Sequence, residues 1–347
     1  MNKVVSRTVI GIAAIAMLWI VTAGILVAMP APSFTKSALA LPAAPPPPTC
    51  RNSKTIECFR MRDGVLLSAR SYPGSTKQLV LLLHGLGGSA AAMDDTARRL
   101  RSATDAGVVS LDLRGNGQSP GRWGDLAYVG QYENDVADVV AALRKNHPGE
   151  RLILAGYSMG GGIAMRYAAR HTLPPVDGYL LFAPHLGDSS PTTRKILADP
   201  HEDPPIKLDI PRILGLLMFN RIGFTGLNHL CTMYFNVKIT GHLVCYRFNA
   251  MRSVAPDDYK AALTADAKPL LIVAGSNDEA FIAKRYPDVV TLHHNGHALI
   301  VPGATHDSIL HSPAAFIAIT DWMRLNFSSL QRGVAGHTGS TMASKNE

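Results

Sequence analysis

Acidic residues are absent from the first 56 positions of this 347-residue chain, and the run from Val9 to Met29 carries no charge of either sign. So little charge is at odds with a solvated amino terminus and points to export or a membrane. Lys3 and Arg7 precede the run, which at about 21 residues exceeds the roughly 7 to 15 of a signal-peptide core and matches the roughly 20 that span a bilayer. A membrane anchor within residues 1–40 is expected, with the following chain on the extracytoplasmic side because positive charge holds the first residues in the cytoplasm. The small-x-small triplet Ala38-Leu39-Ala40 keeps a cleaved export signal as the alternative.

Other scarcities exclude whole classes of function. Despite a formal charge of +8, no Lys/Arg run or basic helix with interleaved aromatics occurs, so nucleic-acid binding is not expected. Only four cysteines are present, Cys50, Cys58, Cys231 and Cys245, at no zinc-ligand spacing. In an exported protein sequence-local pairs of them can form disulfides; four buried thiols are the other reading. No metal-ligand set or dinucleotide fingerprint stands out, and no G-K-[ST] follows Gly160-Gly161-Gly162, so no cofactor is expected. Oligomeric state is not legible.

What is present is a core: 47% hydrophobic against 17% charged residues describes a globular protein. A Pro-rich stretch, residues 41–50, reads as a stiff spacer. Past it, two strand-like runs flank the turn Asp63-Gly64. Apolar strands follow at Leu79–Leu83, Gly107–Leu111, Arg151–Ala155, Gly178–Phe182, Pro269–Val273 and Ala298–Pro302. Helical stretches reaching Ser102, from Leu126 to Lys145, from Gly161 to Ala169 and from Pro313 to Asn326 alternate with them. Fully apolar strands alternating with crossover helices imply an α/β fold with a mostly parallel sheet. The chain after Ser329 is small and polar, and residues 331–347 are expected to be a disordered tail.

One stretch breaks the alternation. Roughly eighty residues separate Phe182 from Pro269, and Ile213–Phe248 is mostly apolar. A helical lid over residues 186–256 is expected, with an extra packing layer as the alternative.

The chemistry centres on Gly156-Tyr157-Ser158-Met159-Gly160. A buried strand before it and a helix after it give the strand, sharp turn and helix that a nucleophile elbow needs, with Ser158 at the tip. Serine is a poor nucleophile at its own pKa and needs a histidine base held by a carboxylate. Asp278 and His306 each lie just past the carboxyl end of a strand, the edge where open parallel sheets collect ligands. Glu279 is the rival acid; His293, His294 and His297 are rival bases expected to precede the last strand. Met159, opening the elbow helix, offers a backbone N–H to a developing oxyanion.

Taken together, His84-Gly85, Asp112-x-Arg114-Gly115-x-Gly117-x-Ser119, Gly156-x-Ser158-x-Gly160, Asp278 and His306 resemble the α/β-hydrolase superfamily over residues 57–327. The lid-bearing branch of monoacylglycerol lipases, lysophospholipases and serine aminopeptidases is the most similar. The resemblance implies the α/β-hydrolase fold, a triad in the order Ser158, Asp278, His306, and Leu86 as the second oxyanion donor. It implies a serine hydrolase of carboxylic esters, with a lipid ester as the expected substrate because the lid is apolar. A serine aminopeptidase or thioesterase would use the same triad, and a non-catalytic lipid- or partner-binding protein is the reading from another class. His84 is expected to shape its turn, and Asp112, Arg114 and Ser119 either fix their loop or form a solvated turn.

Overall fold

Residues 2–34, 39–41, 50–194, 203–239 and 242–328 are described by the computed structural model. The expected spacer and tail lie outside these residues, apart from Leu41 and Cys50. The chain opens with helix α1 (Asn2–Ala28) and a short strand β1 (Leu39–Leu41). From Thr8 to Ala28, α1 is long and apolar enough to cross a membrane. Strands β2 (Ile56–Arg60), β3 (Leu66–Tyr72) and β4 (Gln78–Leu83) lead into α2 (Asp94–Thr104). Then come β5 (Gly107–Leu111), α3 (Gln131–Asn146), β6 (Arg151–Tyr157), α4 (Met159–Ala168) and β7 (Gly178–Phe182). The long connection holds β8 (Ile206–Leu208), α5 (Ile210–Arg221), β9 (Cys231–Ile239), β10 (His242–Arg247), α6 (Phe248–Met251) and α7 (Tyr259–Thr264). The core closes with β11 (Leu270–Gly275), α8 (Tyr286–Val290), β12 (Gly296–Val301) and α9 (Pro313–Phe327).

Eight strands form the central sheet in the order β12-β11-β7-β6-β4-β5-β3-β2. From β4 to β12 neighbouring strands are parallel, while β3 joins β5 and β2 joins β3 antiparallel, so the sheet is mostly parallel with an antiparallel edge. Because side chains alternate across a strand, β4 feeds both layers. Leu81 and Leu83 pack with residues of α3 and α4, and Val80 and Leu82 with residues of α2 and α9. Helices on both faces explain why these strands are apolar throughout rather than at every second position.

Three boundaries differ from expectation. Helix α3 starts at Gln131 rather than Leu126, because Gly130, at φ 96°, turns the chain just before it. Strand β12 starts at Gly296, which places His297 inside the strand. The long connection is part helix and part sheet rather than helical: β9 pairs with β8 and β10 antiparallel and with β1 in parallel. The period-2 mixture of aromatic, β-branched and polar residues in Cys231–Ile239 suits a strand. Both sequence-local cysteine pairs are disulfides, Cys50–Cys58 and Cys231–Cys245, with no free cysteine among the described residues.

Candidate active site

The bend between β6 and α4 puts Ser158 at φ 52° and ψ −113°, a backbone state that L-residues avoid and the surroundings must enforce. Its N–H donates to Phe182 O at 2.9 Å, tying the bend to the neighbouring strand. Glycine is required on both sides: a Cβ on Gly156 would lie 2.3 Å from Gly160 C, and one on Gly160 2.5 Å from Leu83 O.

Three loops at the carboxyl edge of the sheet then converge. His306 Nε2 lies 3.1 Å from Ser158 Oγ, and His306 Nδ1 lies 2.9 Å from Asp278 Oδ2. An acid acceptor at Nδ1 puts the ring proton there and leaves Nε2 to accept from the serine hydroxyl. Asp278 is buried, and its other oxygen accepts the N–H groups of Ala280 at 2.8 Å and Phe281 at 2.7 Å. The carboxylate is therefore fixed in orientation. Glu279, the rival acid, accepts the backbone N–H of His306 at 3.0 Å and so holds the histidine loop rather than its ring. Of the rival bases, His293 is buried before β12, where its Nδ1 accepts from Asn295 N at 3.1 Å, and His297 lies in the strand.

Two supports escaped the sequence reading. The ring of Tyr157 stacks at 5.0 Å against His306, and its hydroxyl donates to Asp307. Burial pushes the Tyr157 phenol well above its usual pKa, with Asp307 adding to the effect, so it stays protonated as that donor. Phe281 also meets the His306 ring, edge-on at 5.3 Å. An aromatic beside an elbow serine is the only signal in the sequence, and it says nothing about a partner 150 residues away.

Met159 and Leu86, the expected oxyanion donors, lie on the two segments that adjoin Ser158. Met159 opens α4, so its N–H has no intrahelical acceptor. Leu86 follows Gly85, where a Cβ would sit 2.8 Å from the Tyr157 ring and 3.4 Å from Ser158 Cβ, so the loop runs against the nucleophile. His84 beneath it is fully buried; its Nε2 accepts Leu113 N–H at 3.2 Å and its Nδ1 lies 2.7 Å from Gly85 O. Burial lowers its pKa, and the neutral ring joins two loops. The turn after β5 is equally fixed. Asp112 accepts from Ala90 N at 2.6 Å and Gln118 N at 3.0 Å, and Ser119 Oγ donates to Asp112 O at 2.6 Å. Arg114 grips the buried Asp135 through two bonds of 2.8 and 2.7 Å. The solvated-turn alternative does not hold for these groups.

Another unanticipated group touches the elbow helix. Tyr246, on β10, is fully buried, and its hydroxyl donates to Met159 Sδ at 3.9 Å. Its ring packs on Trp123 at 4.9 Å and Phe235 at 5.4 Å, so the sheet of the long connection rests on the Met159 end of α4.

Residues 74–202 match the family model described as serine aminopeptidase, S33. The AB hydrolase superfamily protein YisY of Bacillus subtilis is 31% identical over 182 residues, 49% of this chain and 63% of that protein. Human monoglyceride lipase is 27% identical over 228 residues, 62% of this chain and 71% of that protein. The structure of Est1E from Butyrivibrio proteoclasticus with ferulic acid superposes with a TM-score of 0.55 at 18% identity, over 77% of this chain and 98% of that one. The fold is that of the α/β-hydrolases. In that fold a serine, a neutral imidazole and an oriented carboxylate in series can generate an alkoxide-like nucleophile without a metal.

Proposed function

We propose that this α/β-hydrolase is a membrane-anchored serine hydrolase of carboxylic esters, acting on lipid esters such as monoacylglycerol or lysophospholipid. The observation that carries the reading is the continuous series Ser158 Oγ, His306 Nε2, His306 Nδ1 and Asp278 Oδ2, with contacts of 3.1 and 2.9 Å, at a strained elbow. Ser158 Oγ attacks the ester carbonyl while its proton passes to His306 Nε2. Asp278 holds the imidazolium that forms. The tetrahedral oxyanion accepts the N–H groups of Met159 and Leu86, each donor of this kind being worth about 3 to 4 kcal/mol in the transition state. Collapse returns the proton from His306 to the departing alcohol and leaves an acyl-enzyme. Water, deprotonated by the same nitrogen, then releases the acid and restores Ser158.

Ester over peptide is supported by charge. A free substrate amine needs an acid, and Asp203 and Asp209 in the long connection are already paired with Lys207 at 2.6 Å and Arg212 at 2.7 Å. Human monoglyceride lipase among the relatives supports a lipid ester. We read residues 186–256 as the lid over this site.

Retention of α1 as an anchor is supported by its packing. Ala23 is fully buried, Arg212 donates to Val27 O at 3.2 Å and Met29 O at 3.2 Å, and Leu39–Leu41, at the candidate cleavage site, pairs with β9. A disposable signal has no reason to join the folded domain.

A fluorophosphonate probe should label the full chain, and Ser158→Ala should abolish labelling and ester turnover together. Labelling that survives the substitution would move the nucleophile elsewhere. p-Nitrophenyl esters of increasing chain length, beside aminoacyl nitroanilides, test the substrate: kcat/KM should rise from acetate to medium chains. A preference for nitroanilides would favour the aminopeptidase reading, and no turnover of either class would favour a binding protein.

A further inference from the structure

Helices α1 and α5 run antiparallel in close contact. Trp19 Nε1 donates to Met218 O at 3.1 Å, Gly215 faces Ala23, and Arg212 reaches the carbonyls of Val27 and Met29. The approach is backbone to backbone: a Cβ on Gly215 would lie 2.6 Å from Ala23 O. Small residues at the contact are how helices pack where no hydrophobic effect drives them together. Lys207 Nζ also donates to Ser33 O at 2.7 Å, just past α1.

This pairing fixes a depth. The apolar span of α1 runs from Thr8 to Ala28, and α5 lies along its last ten residues, from Trp19 onward. If α5 stood outside the bilayer, only Thr8 to Leu18 would remain to cross it. At about 1.5 Å per residue that is roughly 17 Å against a hydrocarbon core of about 30 Å. The last turns of α1 must therefore be in the membrane, and α5 goes with them.

The surface of α5 suits that place. Ile210 and Leu214, one turn apart, are 51% and 48% exposed, and Ile222 and Phe224 just beyond the helix are 54% and 48% exposed. Phe224 is held by an edge-on contact with Phe219 at 5.4 Å. Of the two charges within the helix, Arg212 is occupied with Asp209 and the carbonyl end of α1. Arg221, exposed in the last turn, limits how deep that end can lie, since a charge is costliest near the bilayer centre.

We propose that α1 and α5 form one membrane-seated helix pair, with Ile210, Leu214, Ile222 and Phe224 among the acyl chains of the extracytoplasmic leaflet. The occupant of this apolar face is the lipid bilayer itself. The lid is then built into the leaflet, and an ester lying in that leaflet reaches the site without crossing water. The inference rests on the anchor reading above.

The test uses the full chain carrying Ser158→Ala, so catalysis plays no part in the readout. Photoreactive p-benzoylphenylalanine is placed at position 214, 222 or 224, and at exposed Ile317 on α9 as the control, in phosphatidylcholine vesicles. Lipid adducts at the three positions should exceed those at 317 at least fivefold. Yields equal to the control, with α1 still present by intact mass, overturn the seating and leave the anchor intact. A mature chain lacking α1 overturns both. Gly215→Leu should part the helices, lowering the adduct yield at 214 at least threefold while the protein still resists carbonate extraction. An unchanged yield would remove the helix pair as the cause.

Discussion

Tyr246→Phe tests whether the sheet of the long connection supports the proposed catalysis. The substitution keeps the ring against Trp123 and Phe235 and removes one hydroxyl, which donates to Met159 Sδ at 3.9 Å. Without it Met159 loses a buried hydrogen bond, a cost of about 0.5 to 1.5 kcal/mol. That cost falls on the residue whose N–H is the proposed oxyanion donor, so part of it is expressed as a misplaced donor; losing the donor outright would cost about 3 to 4 kcal/mol. At about 1.4 kcal/mol per tenfold in rate, kcat should drop roughly threefold to tenfold, with KM within about twofold because the ground-state ester carbonyl needs the donor less than the oxyanion does. Steady-state kinetics on a soluble medium-chain ester read this directly, and the rate of fluorophosphonate labelling should fall in parallel. A lower Tm with kcat unchanged would refute the reasoning and leave the phenol as packing only. A raised KM with kcat preserved would refute it too.

Asp278→Asn should lower kcat by about 10⁴ through loss of the tautomer that leaves His306 Nε2 free to accept. Glu279→Gln keeps an acceptor oxygen for His306 N–H and should cost less than tenfold; equal losses in the two variants would reassign the acid. Stability should fall as pH drops below about 6.5, the ordinary histidine pKa. His84 has its pKa lowered in the fold by burial, so below that pH the unfolded chain binds the extra proton and gains on the native state. Thermal melts from pH 7.5 to 5.5 check the direction, and His84→Gln should flatten the slope; an unaltered slope would place the sensitivity elsewhere.

The sheet was legible because it is written locally, and the proposed triad rests on the same local signals. Buried strands are short apolar runs, and the elbow, the acid and the base each follow such a run within a few residues, so chain order along the sheet places all three on one edge. The start of β12 was harder to read, because an exposed edge strand that begins Gly296-His297 lacks the apolar signal of its neighbours. The long connection was read as helical because its apolar residues are dense. In Cys231–Ile239 that density comes from one side chain in two facing the core, as with Phe235 against Trp123.

What could not be read were contacts between distant parts of the chain. Tyr246 is one tyrosine among ten, and nothing near it in sequence announces Met159. Gly215 sits inside a helix, where glycine is unfavourable by roughly 1 kcal/mol relative to alanine. A cost of that kind persists when another backbone must come close, and here the backbone is that of Ala23. The same connection thus meets α1 through α5 and Met159 through Tyr246, with the Cys231–Cys245 disulfide bracing its β9 and β10 strands between the two. On the proposed seating, one end of the connection is held in lipid and the other against Met159, which would give the proposed lid a fixed orientation over Ser158, so that an ester entering from the leaflet would meet a site already formed.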